Sequence, residues 1–313
     1  PWIYEHPDYY TQNEAGEIID PSNPETGASW GWTDTADLNY SNPAMRTAMI
    51  DALRYWVKTA DIDGYRMDVA HQVPVAFFEK ATASLQEIKP VFMLAEAEQP
   101  NLMEKAFDMH YAWEFHHLLN DISKGHKNLT ELDAYLSKMD TFLAADDINM
   151  NFITNHDENS WAGTLAERMP AQKEIFTALI YTLPGMPLIY SGQEYDLDHR
   201  LKFFEKDSFP KTKGPYFELL KKLGALKKTH PALHGGKSAA AYKRLKTENS
   251  NIFAFKRGKA GREMCFIGNF SNETQQVQVG YGKLYTDYLQ GETLYLENAP
   301  IELAPWAFKI IIE

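Results

Sequence analysis

The sequence predicts an α/β chain in which parallel strands alternate with helices, followed by a smaller antiparallel β region. Three segments carry that reading: Asp63-Gly64-Tyr65-Arg66-Met67-Asp68, Phe92-Met93-Leu94-Ala95-Glu96 and Phe152-Ile153-Thr154-Asn155-His156-Asp157. Each is an apolar run ending in a carboxylate. Such runs read as strands buried on both faces. The C-terminal ends of parallel strands are where α/β folds place their chemistry.

The elements follow in order. Residues 1–40 are rich in Pro, Asn, Gly, Asp and aromatics without a sustained period, which reads as an ordered loop region. Asn42-Pro43 starts a helix, with Asn as N-cap and Pro in the first turn. Met45, Met49, Leu53, Trp56 and Val57 then fall on one helical face. A strand at Ile62 to Val69 follows, then a helix from Val75 to Ile88 and a strand at Val91 to Ala97. A helix around Leu102 to Lys105 leads to a strand near Phe107 to Tyr111, and helical stretches over 115–145 lead to a strand at Met150 to Thr154. A helix near Ala171 to Tyr181 precedes the strand-like run Met186 to Gly192. This spacing means βα units with right-handed crossovers. A helix from Tyr216 to Lys228 ends at the break marked by Pro231. Beyond it, Ile252 to Phe255, Met264 to Asn269, Gln275 to Val279 and Lys309 to Ile312 are short strand candidates separated by turns, an expected β-sandwich. The expected domains are therefore 1–40, a loop region; 41–230, the βα units with the carboxylates; and 231–313, the β-sandwich.

At 313 residues the chain can bury a large core. Its net charge of −12 would repel phosphates, which excludes nucleic acid and suits a neutral substrate. No apolar run is long enough to span a membrane. The single cysteine, Cys265, sits in an apolar run and is expected to pack as a small hydrophobe. The ten His show no zinc spacing. The chain begins at Pro1 with no initiator Met or signal peptide, so its start carries no address.

Asp68 follows Arg66 by two residues on a strand, so both side chains face the same way. A guanidinium beside a carboxylate keeps it ionised and oriented, as a nucleophile must be; a structural Arg–Asp pair is the competing reading at even weight. Glu96 ends an apolar strand, and a carboxylic acid in an apolar cleft can hold a proton near neutral pH, the general-acid role. Glu98, two residues on, reads better as a surface or capping residue. Asn155-His156-Asp157 sets an imidazole next to a carboxylate just past a strand end, where both can bond sugar hydroxyls. Two carboxylates flanking a glycosidic bond are the minimum equipment for cleaving it. Trp30, Trp32 and Trp161 are candidate stacking rings, weighed evenly against core packing.

Together these segments resemble glycoside hydrolase family 13, the α-amylase family. Gly64 to Asp68 matches its nucleophile segment, and Leu94-Ala95-Glu96 its acid/base segment with Ala95 in place of a frequent Gly. Phe152 to Asp157 matches its third-carboxylate segment, and Gly185 to Glu194 is similar to its last barrel strand. Ala36 to Tyr40 looks like the short motif after its third strand, and Leu303 to Trp306 the closing strand of its C-terminal β domain. Six motifs in the right order make the resemblance specific.

The resemblance implies a (β/α)8 TIM-barrel-type catalytic domain followed by a β-sandwich, and a retaining hydrolase of α-1,4-glucosidic bonds in starch-like glucans. Asp68 would be the nucleophile, Glu96 the acid/base and Asp157 the transition-state stabiliser, with Arg66, His156 and His71 binding substrate. Double displacement places the two main carboxyl groups about 5–5.5 Å apart. The family's barrel has eight strands and five are read here. The N-terminal strands are therefore expected on a missing piece, or the barrel to be completed by self-association. A catalytically incomplete glucan-binding fragment is the reading from another class. An α-glucosidase, cyclodextrinase or transglycosylase of the same family is the alternative within it. Structural calcium is compatible with the family, but Val69-Ala70-His71-Gln72 departs from its common Lys-His pattern and no ligands are assignable. The substrate class favours an extracellular or periplasmic setting.

Overall fold

The computed structural model describes residues 2–259, 261–279, 284–295 and 300–313. Packing divides the chain into two compact units, Pro1–Asp108 and Met109–Glu313.

In the first unit, residues before the first long helix form a looped region closed by isolated bridges, Tyr10 to Leu38, Gln12 to Ile18 and Ser22 to Ser29. Helix α1 (Pro43–Ala60) starts as the sequence predicts, with Asn42 accepting from the Ala44 and Met45 N–H groups. Its buried residues are Met45, Ile50 and Val57. Trp56, expected on that face, is 55% exposed and meets Tyr55 edge-on. A stripe centred on Met45, Ile50 and Val57 leaves the neighbour of Val57 about 100° round the helix. Strand β1 (Gly64–Met67) pairs in parallel with β2 (Phe92–Ala95), Gly64 opposite Phe92 and Met67 opposite Ala95. Helix α2 (Val75–Gln86) lies between them in sequence and buries Phe77, Phe78, Ala81 and Leu85. Gly64 is required: a Cβ there would overlap the Phe92 carbonyl. The expectation of strands buried on both faces fails for this pair. Every residue of β1 is half-buried and β2 alternates, because β1 is an edge strand.

In the second unit, β3 (Met109–Tyr111), β4 (Ile148–Asn151) and β5 (Met186–Pro187) are parallel neighbours, and here burial on both faces holds for β3. Helices α3 (Trp113–Ser123) and α4 (Leu129–Phe142) connect β3 to β4. A capping box between Asn128 and Glu131 starts α4. Helices α5 (Lys173–Thr182) and α6 (Pro215–Thr229) flank β5 in sequence.

The C-terminal strands are β6 (Tyr242–Leu245), β7 (Ile252–Lys259), β8 (Arg262–Asn269), β9 (Gln275–Val277), β10 (Leu284–Asp287), β11 (Thr293–Tyr295), β12 (Ile301–Leu303) and β13 (Phe308–Ile312). They form a six-stranded sheet, order β11-β10-β13-β8-β7-β6, and a two-stranded sheet of β12 and β9. Ile252, Ala254, Cys265, Ile267, Val277 and Leu303 lie in the core between them, as a sandwich requires. Burial pushes the Cys265 thiol up to about 12, as expected for an inert packed cysteine. On its other face the large sheet shares a core with the helices: Phe253, Phe255, Phe266 and Ile310 join Phe176, Leu179 and Leu223.

Most of the predicted strands are shorter than expected, and two of them stop early for a visible reason. The Met150 to Thr154 strand ends at Asn151, and Met186 to Gly192 keeps only Met186–Pro187. In both, side chains take over the backbone partners that a ladder would have supplied. Phe152 and Ile153 carbonyls face His116 and Arg168, while the Tyr190 and Gly192 N–H groups bond Gln193 and Glu194.

Candidate active site

Three predicted site residues come together in the first unit. Arg66 is on β1, Asp68 just past its end, and Glu96 just past the end of β2. The two terminal nitrogens of one guanidinium each hold a carboxylate: Nη1 donates to Asp68 Oδ1 and Nη2 pairs with Glu96 Oε1 at 2.9 Å. The parallel register puts this within reach, since Met67 lies opposite Ala95 and each carboxylate is the next residue on its strand.

Glu96 Oε2 accepts from the Val69 N–H at 2.8 Å. Val69 has φ 44° and ψ 43°, a left-handed conformation that a β-branched residue rarely takes. Holding it costs on the order of 1–3 kcal/mol. The turn also sends the Ala70 N–H to the Glu96 carbonyl, and the Glu96 N–H bonds Met67 O. The strained turn thus aims backbone donors at Glu96. The sequence suggests an apolar cleft around that residue; the structure gives it a guanidinium and a backbone N–H instead. The Glu96 side chain is 13% exposed and that of Asp68 75%, so the two carboxylates differ sharply in access to water. His71 is exposed on the 3-10 turn Ala70–Gln72. Trp30 and Trp32 stack on each other, centroids 5.7 Å apart, and both are exposed rather than in the core.

The second unit carries His156 and Asp157, with His156 Nε2 3.4 Å from Asp157 Oδ2. Burial, and next the Asp157 charge, push the nearby Tyr190 hydroxyl above its ordinary value. Asp157 precedes a π-turn, Glu158–Ala162, closed by the Gly163 N–H on Glu158 O. Asn155 Oδ1 accepts from the Glu158 N–H. π-turns of this kind often mark functional positions.

Behind this segment lies a buried cluster that sequence reasoning missed. His116 Nε2 meets Glu158 Oε2 at 2.9 Å, and its Nδ1 is 3.3 Å from Phe152 O. Arg168 donates to Gly163 O, Asn120 Oδ1 and Ile153 O, and lies 3.7 Å from Glu158. The carbonyls on both sides of Asp157 are therefore held by side chains. Burial pushes the Glu158 carboxyl up, but the His116 bond and the Arg168 charge outweigh it and hold it below its usual range. Burial depresses the His116 ring against the pull of Glu158. One faint sequence signal exists: His116 and Asn120 are one helical turn apart on α3. Nothing in the spacing links them to Glu158 or Arg168.

Among the described residues no group of three or more His, Cys, Asp or Glu side chains is placed to hold a metal ion. Calcium also takes backbone and amide oxygens, so the ligands of the calcium implied by the resemblance are not assignable from carboxylates. No helix among the described residues is long and apolar enough to cross a membrane.

Parallel strands ending in paired carboxylates, one arginine shared between them, and a following β-sandwich define a chain of glycoside-hydrolase type. Residues 28–215 match the alpha-amylase catalytic domain. The chain belongs to the α-amylase family, glycoside hydrolase family 13. It is 25% identical over 284 residues to a cyclomaltodextrinase of Thermoanaerobacter pseudethanolicus, covering 83% of this chain and 47% of that protein. It is 29% identical over 269 residues to a cyclomaltodextrin glucanotransferase of a Bacillus species, covering 79% and 35%. The chain thus spans less than half the length of both curated relatives. Among solved structures, the maltogenic α-amylase AmyB of Thermotoga neapolitana superposes with a TM-score of 0.85 at 22% identity, covering 99% of this chain and 73% of that one. An α-amylase of Lactobacillus plantarum gives 0.81 at 22% identity, covering 100% and 74%. These likenesses establish the fold: a TIM-barrel-type α/β catalytic region followed by an antiparallel β domain.

Proposed function

We propose that the complete protein is a retaining glycoside hydrolase that cleaves α-1,4-glucosidic bonds of starch-like glucans by double displacement. The observation that carries this reading is the single guanidinium shared by Asp68 and Glu96. Asp68, exposed and oriented by Arg66, attacks the anomeric carbon and forms a glycosyl ester. Glu96 gives its proton to the departing glycosidic oxygen, then takes one from the water that hydrolyses the ester. Asp157 takes the role of stabilising the oxocarbenium-like transition state, and His156 that of bonding a sugar hydroxyl. An Arg–carboxylate contact of this kind serves chemistry more than uniform binding.

A second reading is favoured by the names of the two curated relatives, a cyclomaltodextrinase and a cyclomaltodextrin glucanotransferase. The same residues would then act on cyclic glucans or transfer the glucosyl unit to a sugar. Structural calcium, and a further polypeptide piece or self-association completing the barrel, belong to the proposal.

Reducing-end release from soluble starch and from β-cyclodextrin tests both readings. Asp68→Asn and Glu96→Gln should each lower kcat by about 10^4-fold or more with glucan binding retained. Asp157→Asn should also be severely impaired. Near-normal turnover in either of the first two variants would sink its assigned role. Faster release from the cyclic substrate would move the specificity to the second reading.

A further inference from the structure

The second unit presents aromatic rings that its own packing does not use. Trp161 is 63% exposed, Phe203 40% and Phe204 73%. They form one group, with centroids 5.2 Å apart for Trp161–Phe203, 4.9 Å for Phe203–Phe204 and 6.3 Å for Trp161–Phe204. The group continues to the candidate site: His156 stacks on Phe203 at 6.1 Å with 24° between the planes.

The backbone beneath is tied down. Asn159, two residues before Trp161 on the π-turn, donates to His199 O and accepts from the Leu201 N–H. Ser160 donates to Leu201 O at 2.6 Å. Arg200 forms a two-pronged pair with Glu167, at 2.8 and 3.0 Å, and Asp198 accepts from Thr164. Rings on so well anchored a base are pre-organised in an exposed position. A clustered apolar patch of this sort marks an interaction surface. Its continuity with His156, beside Asp157, says what it takes. A sugar ring has an apolar C–H face and a polar rim, which suits flat rings bordered by charged groups. Lys202 and Glu205, paired at 2.7 Å, supply such a border.

We propose that Trp161, Phe203 and Phe204 form a sugar-stacking platform that extends the site beyond His156 and binds α-glucan chains longer than a disaccharide. The proposal rests on the glucan-cleaving reading above. Rings tilted at 45° and 72° to one another suit the curved path of an α-linked chain better than a flat one. The platform then raises affinity for long chains and leaves the bond-breaking step untouched.

The test uses the full-length protein carrying Asp68→Asn, so that binding is read without hydrolysis. Calorimetric titration with maltoheptaose and with maltose is compared before and after adding Trp161→Ala or Phe204→Ala. The expected result is about a tenfold weaker Kd for maltoheptaose, a change below twofold for maltose, and an unchanged melting temperature. In the otherwise wild-type protein the same changes should raise KM for soluble starch about tenfold with kcat within twofold. Maltoheptaose affinity unaffected by loss of the rings would overturn the platform alone. So would a self-association of the parent that Phe204→Ala abolishes while glucan affinity holds, since the patch would then seat a second copy. No maltoheptaose binding by the parent, together with no starch hydrolysis by the wild type, would overturn the platform and the glucan reading together.

Discussion

The two carboxylate-bearing regions solve the same positioning task in opposite ways. At the ends of β1 and β2, the orienting group touches the carboxylates directly: Arg66 holds Asp68 and Glu96, and Asp68 faces water. The Asp157 carboxylate has few contacts of its own, and the backbone carrying it is clamped from behind by His116, Glu158 and Arg168. The lesson is that direct pairing tunes a carboxylate, whereas a buried clamp fixes where it stands. Losing the first should strike catalysis before stability, and losing the second should strike stability first.

The sharpest way to break that contrast is a pair of arginine deletions. Arg168→Ala leaves the half-buried Glu158 short of a counter-charge and three backbone and amide acceptors unbonded. It should cost about 3–5 kcal/mol, read by chemical denaturation. Arg66→Ala, at a half-exposed site, should lower kcat about 10^2-fold or more with a much smaller loss of stability. Equal stability losses would erase the distinction. Gly64→Ala comes next. It pushes a methyl group into the Phe92 carbonyl and should cost roughly 1–3 kcal/mol while separating Asp68 from Glu96, so activity and stability fall together.

The smallest effect is acid sensitivity, and its sign follows from the clamp. His116 titrates below its ordinary value in the fold, so the stability from keeping it neutral is complete above the unfolded value near 6.5 and is lost as pH falls below it. Glu158 is also held below its ordinary value, so its contribution is present above about 4.5 and is lost as pH falls through its folded value. The groups facing them are Arg168 and His117, besides each other. The melting temperature should therefore drop on acidification from pH 7 to 5, by about 2–4 °C per kcal/mol lost. His116→Gln should flatten the first part of that drop, and an unchanged slope in the variant would mean the clamp does not titrate there.

Local rules were enough for much of this molecule. Asn42 before Pro43 marks a helix start because only the amide oxygen and the missing proline N–H satisfy that end of the helix. The alternation of apolar runs with helical stripes gives the parallel βα order because each period specifies which face must be covered. Asp68 and Glu96 were legible because a carboxylate ending an apolar run stands out against its neighbours. Long-range partners decided the rest. The run through Phe152 and Ile153 has strand composition, yet His116 and Arg168, 36 and 15 residues away in sequence, claim its carbonyls. Trp161 reads evenly as a stacking ring or a core residue from the sequence, and only the fold shows it exposed beside Phe203 and Phe204, on a turn whose backbone Asn159 and Ser160 tie to residues 199–201. Periodicity and capping act within one turn or one strand, so they can be read from a single segment. The partner of a buried charge, or the side of the surface a ring ends on, depends on segments that meet only when the chain is folded.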